Sequence, residues 1–366
     1  LIDIELKPEH MDVNITSMTA DSRDVKAGFL FAALPGVKAD GRDFIDQAIA
    51  QGAAAILTTD YNKPVPKHIP LISVNRPRLY FAKMAARLHG RQPENIVAVT
   101  GSNGKTSTVN FCRQLWQKMG HSAASLGTIG IHAPGVISKA GMTTPDPVTL
   151  HSELAELESC GISHLAMEAS SHGLDQYRLD GVRLKAAGFT NLSRDHLDYH
   201  GSMDNYLQAK MRLFSEVLLP DGIAVLNADI PEYDALKRTC EVRGIKIISY
   251  GHTGADISIA ERSVSPEGQH LTLTVMGETY PVMLPLVGEF QAYNALCALG
   301  LIIAGENKMR AVEAVSYLED LTGVRGRMER VGVCENGAAI YVDYAHTPDG
   351  LKTVLNALRP HTQNKL

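Results

Sequence analysis

A lysine and a threonine, Lys105-Thr106, follow directly on Gly101-Ser102-Asn103-Gly104 and precede Ser107. Residues of these types in this order can hold a phosphate. Backbone N–H groups of the glycine turn and the positive end of a helix surround the anion, Lys105 adds a point charge, and the Thr106 hydroxyl can ligate Mg²⁺. The spacing departs from G-x-x-x-x-G-K-[ST], which needs glycine where Val99 stands. The flanks nevertheless have the right character. Ile96-Val97-Ala98-Val99 reads as a buried parallel strand, and Thr106 to Met119 carries helical periodicity that Gly120 can end.

Three further clusters carry polar chemistry. Glu168-Ala169-Ser170-Ser171-His172 follows the apolar run His164 to Met167, so Glu168 would lie at a strand tip, where a carboxylate suits Mg²⁺ beside transferring phosphates. Asn191 to His200 (NLSRDHLDYH) gathers more donors, acceptors and imidazoles than packing needs, although His200 alone reads as a surface histidine. Lys210 lies on an amphipathic segment, Met203 to Leu218, and by residue type alone reads as a solvated charge.

The elements that must position these groups form an alternating series. Strands at 164–168, 186–190 and 223–226 are separated by helical stretches, which predicts a doubly wound parallel sheet with its ligands outside the carboxyl ends of the strands. Leu271 to Val275 alternates apolar and polar and is expected in a small antiparallel layer, and Phe290 to Ala304 is a strongly apolar helix. This central unit is expected over residues 93–323. Residues 1–92 form a first α/β unit, with strands at 28–34, 53–58 and 71–74 and helices at 43–50 and 79–88. Its polar turns Asp21-Ser22-Arg23 and Lys38-Ala39-Asp40-Gly41-Arg42 could hold a ligand or serve as solvated connections. After Gly323 the pattern restarts, with a strand at 338–342 and a helix at 348–358, and residues 324–366 are too few to bury a core alone.

A net charge of -5 and a pI near 6.3 give no basic surface for nucleic acid or membrane. The five cysteines are scattered and never in C-x-x-C spacing, which points to a reducing compartment without disulfide or zinc framework. There is no apolar run of membrane-spanning length and no signal-peptide layout, so a cytoplasmic protein, monomeric and with small-molecule partners, is expected. The chain opens on Leu1 and stops soon after one strand and one helix, the appearance of a fragment.

Taken together, Gly101 to Thr106, Met167 to His172, Asn191 to Asp198 and Asp343-Tyr344-Ala345-His346-Thr347-Pro348 resemble the Mur ligases, the ATP-dependent peptide-bond-forming enzymes of peptidoglycan synthesis. With Thr143-Thr144-Pro145-Asp146 and Asp40-Gly41-Arg42, the set is most similar to the family member that adds the third amino acid. The resemblance covers essentially the whole chain, with the motifs in order. It implies a three-domain architecture: a small α/β N-terminal domain, a central doubly wound sheet with a P-loop-like ATP site, and the beginning of a Rossmann-like C-terminal domain.

The implied reaction phosphorylates the free carboxylate of a UDP-muramoyl dipeptide with ATP, and the amine of an incoming amino acid then attacks the acyl phosphate. The implied residues follow the motifs. Gly101, Ser102, Asn103, Gly104, Lys105, Thr106 and Ser107 would bind ATP, together with Asn294, Arg327 and Asp343. Thr106, Glu168, His196 and Lys210 would hold two Mg²⁺ ions, and Lys105, His196 and Lys210 would be catalytic. In the family the lysine matching Lys210 is carbamylated, which turns a cation that repels metal into an anion that binds it. Ser22, Lys38, Ala39, Asp40 and Gly41 match the uridine diphosphate region, and Thr143, Thr144, Ser170, Gln176 and Arg178 match muramoyl contacts. The family's Asp-Asn-Pro-Arg motif, which selects the added amino acid, is absent. Diaminopimelate is therefore expected only as the commoner choice, with L-lysine as the alternative. A chain ending at Leu366 would close incompletely over ATP and show little or no ligase activity. Two other readings remain open at this point: another ligase of the superfamily, such as a folylpolyglutamate synthetase, and a nucleotide-binding switch without ligase chemistry.

Overall fold

The computed structural model describes residues 12–36, 39–137, 141–252, 255–305, 308–346 and 348–362. The chain divides into two compact units. The first comprises the residues up to Gln92 together with Pro145–Ser159 and Gln176–Val182, and the second comprises the remainder.

The first unit is built on a parallel sheet of β1 (Ser17–Thr19), β2 (Phe29–Ala32), β3 (Ala55–Thr58) and β4 (Leu71–Ser73), in that order. Its strands are short and apolar because both faces are covered. Leu30, Leu57 and Ile72 pack with Phe81 and Met84 of the helix Pro77–His89, while Phe31 and Ile56 pack with Ile45 and Ala48 of the helix Ile45–Ala50. Gly90, in the left-handed conformation (φ +72°), ends the longer helix with its N–H on the Ala86 carbonyl.

The second unit carries an eleven-stranded sheet. Its strands are β5 (Asn95–Thr100), β6 (Ala123–Gly127), β7 (Gly130–Ala133), β8 (Val136–Ile137), β9 (His164–Glu168), β10 (Leu184–Phe189), β11 (Ile223–Asn227), β12 (Lys246–Gly251), β13 (Ile257–Ser265), β14 (Gly268–Val275) and β15 (Glu278–Leu284). The spatial order is β15-β14-β13-β12-β11-β10-β5-β9-β6-β7-β8. From β12 to β6 every pairing is parallel. β14, expected in a layer of its own, instead continues the main sheet through antiparallel pairing with β13 and β15. Its alternating pattern is that of a strand with one covered and one wet face, which a sheet edge provides as well as a separate layer does.

One face of this sheet is covered by the helices Lys105–Lys118 and Glu289–Gly305. Phe111, Leu115 and Trp116 of the first join Leu296, Leu299, Leu301 and Ile302 of the second in the largest apolar cluster of the molecule. The second helix is strongly apolar and largely buried, with Glu289 exposed at its start. It approaches so closely that a Cβ on Gly188 of β10 would lie 2.9 Å from Cys297 Sγ. Leu115→Ala at the centre of this contact would cost about 2–5 kcal/mol.

The amphipathic segment expected to be one helix over 203–218 is α-helical over Met203–Arg212 and closes in a π-helical turn, Leu213–Val217. Beyond Leu321 the chain forms a two-stranded antiparallel sheet, β16 (Glu329–Val333) and β17 (Ala339–Val342), and the helix Pro348–Leu358. Among the described residues no helix is long and apolar enough to cross a membrane.

Candidate active site

The central strand β5 lies between β10 and β9, and the chain leaves it to form neighbours on both sides. That is the topological switch point, where an open parallel sheet parts its loops and leaves a crevice. The loop after β5 carries Gly101 to Gly104, β9 ends at Glu168, and the loop after β10 begins at Thr190. The three polar clusters found in the sequence therefore meet at one end of three adjacent strands.

The loop after β5 is pinned by the loop after β10. Ser102 N–H donates to the Asn191 carbonyl (2.8 Å), Asn103 N–H to Asn191 Oδ1 (3.0 Å), and Thr190 Oγ1 to the Asn103 carbonyl (2.6 Å). Ser102 Oγ donates to the Ser193 carbonyl at 3.0 Å. Gly101 (φ +141°) and Gly104 (φ +89°) make the turn possible, since a Cβ on either would overlap a side chain, Thr190 Oγ1 or Asn294 Oδ1 respectively. Lys105 opens the helix, and Thr106 and Ser107 are buried in its first turn.

Lys105 Nζ donates to the carbonyls of Gly101 and Ser102, both at 2.8 Å. Lys210 Nζ donates to the same Gly101 carbonyl at 2.7 Å and lies 4.4 Å from the ring centroid of Tyr206, one helical turn earlier. Lys210 is 1% exposed, not the solvated charge its residue type suggests. Burial, and then the charge of Lys105, push its pKa well below the ordinary lysine value against the pull of Asp195. Burial lowers the Lys105 amine as well, opposed by Glu168 and Asp195 and reinforced by Arg327. The charges of Glu168, Asp195 and Arg327 therefore all reach the phosphate-loop lysine.

Glu168 is 1% exposed. Its Oε1 accepts from Thr128 N–H (2.9 Å) and its Oε2 from Thr128 Oγ1 (3.1 Å), while its backbone carbonyl accepts from Thr144 Oγ1 (3.0 Å). Thr143 Oγ1 lies 3.0 Å from Thr128 Oγ1, and Ser170 bonds Thr144 through both N–H (3.1 Å) and Oγ (3.0 Å). Thr143, Thr144 and Ser170 thus surround Glu168.

His196 takes a left-handed backbone (φ +50°) before the short helix Leu197–His200, with Nε2 3.5 Å from Asp195 Oδ2. Its ring belongs to a group with His172, Tyr199, His200 and Tyr206, the His172–His196 centroids being 4.9 Å apart. His200, read from sequence as a surface histidine, is buried with Nε2 3.0 Å from Ser171 Oγ, and burial lowers its pKa.

Asn294 lies against Gly104 and donates to Gln291 Oε1 (3.0 Å), and Gln291 Nε2 donates to the Arg327 carbonyl (3.2 Å). The Arg327 guanidinium lies 5.0 Å from the Tyr344 ring centroid. Asp343 holds this turn through both oxygens, Oδ2 accepting from Met328 N–H and Oδ1 from Ala345 N–H, each at 2.8 Å.

Among the described residues no three of His, Cys, Asp or Glu converge as a metal cage. Mg²⁺ commonly takes one or two carboxylates and completes its shell with substrate phosphate and water. A buried, rigidly held Glu168 and the Thr106 hydroxyl fit that mode. Lys210 as a plain amine, spent on a carbonyl, does not.

In the first unit, Ser22, Ala39, Gly41, Gln176 and Arg178 line one open cleft of about 1010 Å³. Arg178 Nη2 donates to Gln176 Oε1 at 2.7 Å. Asp40 is turned to Arg42, whose Nε lies 3.0 Å from each of its oxygens. Lys38 lies outside the described residues.

Sequence reasoning missed Thr128, Tyr206 and the cleft residue Arg78, while Arg23 lies in a turn already singled out. Tyr206 was within reach, since it precedes Lys210 by one helical turn. Thr128 had no signal, because it meets Glu168 only across the sheet.

Comparison with known proteins covers the chain from end to end. The descriptions "Mur ligase family, catalytic domain", "Mur ligase middle domain" and "Mur ligase, glutamate ligase domain" match residues 14–89, 99–302 and 326–366. A UDP-N-acetylmuramoyl-L-alanyl-D-glutamate–2,6-diaminopimelate ligase from Zymomonas mobilis is 47% identical over 361 residues, 99% of this chain and 74% of that protein. A solved structure of a ligase of the same name superposes with a TM-score of 0.83 at 31% identity, covering 96% of this chain and 71% of that one. A MurF ligase from Thermotoga maritima in complex with ADP shares the fold, with a TM-score of 0.61 at 21% identity over 97% of this chain and 76% of that one.

Proposed function

Since the chain belongs to the Mur ligase family, we propose that it joins 2,6-diaminopimelate to UDP-N-acetylmuramoyl-L-alanyl-D-glutamate, driven by ATP, as a step of peptidoglycan synthesis. The names of its relatives favour diaminopimelate over L-lysine. The observation that carries the reading is the meeting of Lys105 and Lys210 on the Gly101 carbonyl, within reach of the Glu168 charge. A simple phosphate switch has no need of the second, buried amine.

In this reading the loop from Gly101 to Ser107 surrounds the ATP phosphates with N–H groups, and Lys105 exchanges its own loop carbonyls for phosphate oxygens. Asn294 contacts adenine from the helix Glu289–Gly305, and Arg327, on the turn held by Asp343, adds charge near the transferring phosphate. Glu168, Thr106 and His196 are the magnesium ligands, and the metal, when bound, offsets repulsion between phosphate and carboxylate. Lys210 completes the set as a carbamate. Burial that lowers the amine's pKa favours the free lone pair that CO₂ requires, and the product would carry the negative charge the metal needs. The substrate carboxylate attacks the γ-phosphate of ATP, ADP leaves, and the amine of diaminopimelate displaces phosphate from the acyl phosphate. Most of the rate comes from positioning and charge stabilisation. Ser22, Lys38, Ala39, Asp40, Gly41, Gln176 and Arg178 hold the nucleotide-sugar portion, and Thr143, Thr144 and Ser170 the part nearer the reacting carboxylate.

Residues 324–366 are read as belonging to a third domain, in which Val331, Val333, Ile340 and Val342 are exposed. The protein is read as cytoplasmic and monomeric.

The test is calorimetric. UDP-N-acetylmuramoyl-L-alanyl-D-glutamate should bind the protein and a folate should not. A bound folate, or no response to the nucleotide sugar, would reject the reading.

A further inference from the structure

Both oxygens of Glu168 are held by Thr128, and the proton count of this small network fixes its polarity. A carboxylate oxygen can only accept, so the one hydroxyl proton of Thr128 goes to Glu168 Oε2 (3.1 Å). The 3.0 Å contact between Thr128 Oγ1 and Thr143 Oγ1 must then use the Thr143 proton. On the other flank Thr144 Oγ1 donates to the Glu168 carbonyl (3.0 Å), so its contact with Ser170 Oγ (3.0 Å) uses the Ser170 proton. Ser170 Oγ also accepts from Gly173 N–H at 3.0 Å.

We propose that Thr128 is a positioning residue that ties Thr143 to the carboxylate of Glu168. The inference rests on the function proposed above. The network holds Glu168 in one orientation, which a magnesium ligand supported by a neighbouring hydroxyl requires.

One measurement tests this, and it needs no turnover. It is the Mg²⁺ concentration for half-maximal binding of a non-hydrolysable ATP analogue, by calorimetry. Thr128→Val, which keeps the N–H and removes the hydroxyl, should raise it roughly tenfold, and Thr128→Ser should restore it. Equal values for wild type and Thr128→Val, or no rescue by serine, overturn the positioning role. If wild type ignores the UDP-muramoyl dipeptide, the proposed function fails, while the magnesium measurement still decides the role of Thr128.

Discussion

Lys105 and Lys210 place their amines on one acceptor, the carbonyl oxygen of Gly101, at 2.8 and 2.7 Å. Burial, and then the neighbouring charge of Lys105, push the Lys210 pKa well below the ordinary lysine value. The folded chain thereby favours the neutral, nucleophilic form of an amine beside a phosphate loop.

From this it follows that Lys210 should react with CO₂. Labelled bicarbonate should give a carbamate carbon resonance in the wild-type protein that is missing in Lys210→Arg. Lys210→Ala should lower ATP-driven ligation roughly 10²–10³-fold, the scale seen when one charge-stabilising group is removed. Because the folded pKa is depressed, the amine stays neutral, and the carbamate forms, to lower pH than for an exposed lysine. A signal of equal size in Lys210→Arg would count against this.

Gly104→Ala should damage ATP binding selectively. The residue sits at φ +89° and its new Cβ would overlap Asn294 Oδ1. The left-handed backbone alone costs about 1–2 kcal/mol. Calorimetry should show weakened ATP binding with unchanged binding of the UDP-muramoyl dipeptide.

Arg178→Ala should have the opposite selectivity. Arg178 lines the cleft of the first unit with Gln176 and Ser22. Loss of a charge-assisted bond to the nucleotide sugar should raise its Kd roughly 10–100-fold and leave ATP binding unchanged.

Acid should destabilise the protein through two buried histidines. Burial, first among the causes, holds both His151 and His164 at about 4, against 6.5 for a free imidazole. His151 Nε2 meets the Asp180 carbonyl at 3.1 Å, and His164 Nε2 meets Asn95 Nδ2 at 3.2 Å. A depressed folded pKa means that the stability these groups contribute is complete above pH 6.5 and is lost as pH falls through the window from 6.5 to 4. Each contributes a slope of about 1.4 kcal/mol per pH unit within that window. Denaturation by urea across this range should show the decline, and His164→Gln should remove one histidine's share. A flat profile between pH 6.5 and 4 would refute the assignment.

The sequence by itself determined the phosphate loop, the parallel character of the sheet around it and the placement of Glu168 at a strand end. Each of these depends on local pattern: a β-branched run, a glycine turn, an alternation of strand and helix. It also carried the family resemblance, through motifs whose order along the chain needs no folding to be seen. Only the tertiary structure decided that Lys210 is buried, that it shares Gly101 with a lysine 105 residues earlier in sequence, and that Thr128 holds both oxygens of Glu168. It also decided that β14 extends the main sheet and that His200 is enclosed. Helical periodicity tells which residues share a face, but not whether that face meets water or another segment. Desolvation and hydrogen-bond direction arise from groups distant in the chain, and they come into being only when those groups are brought together.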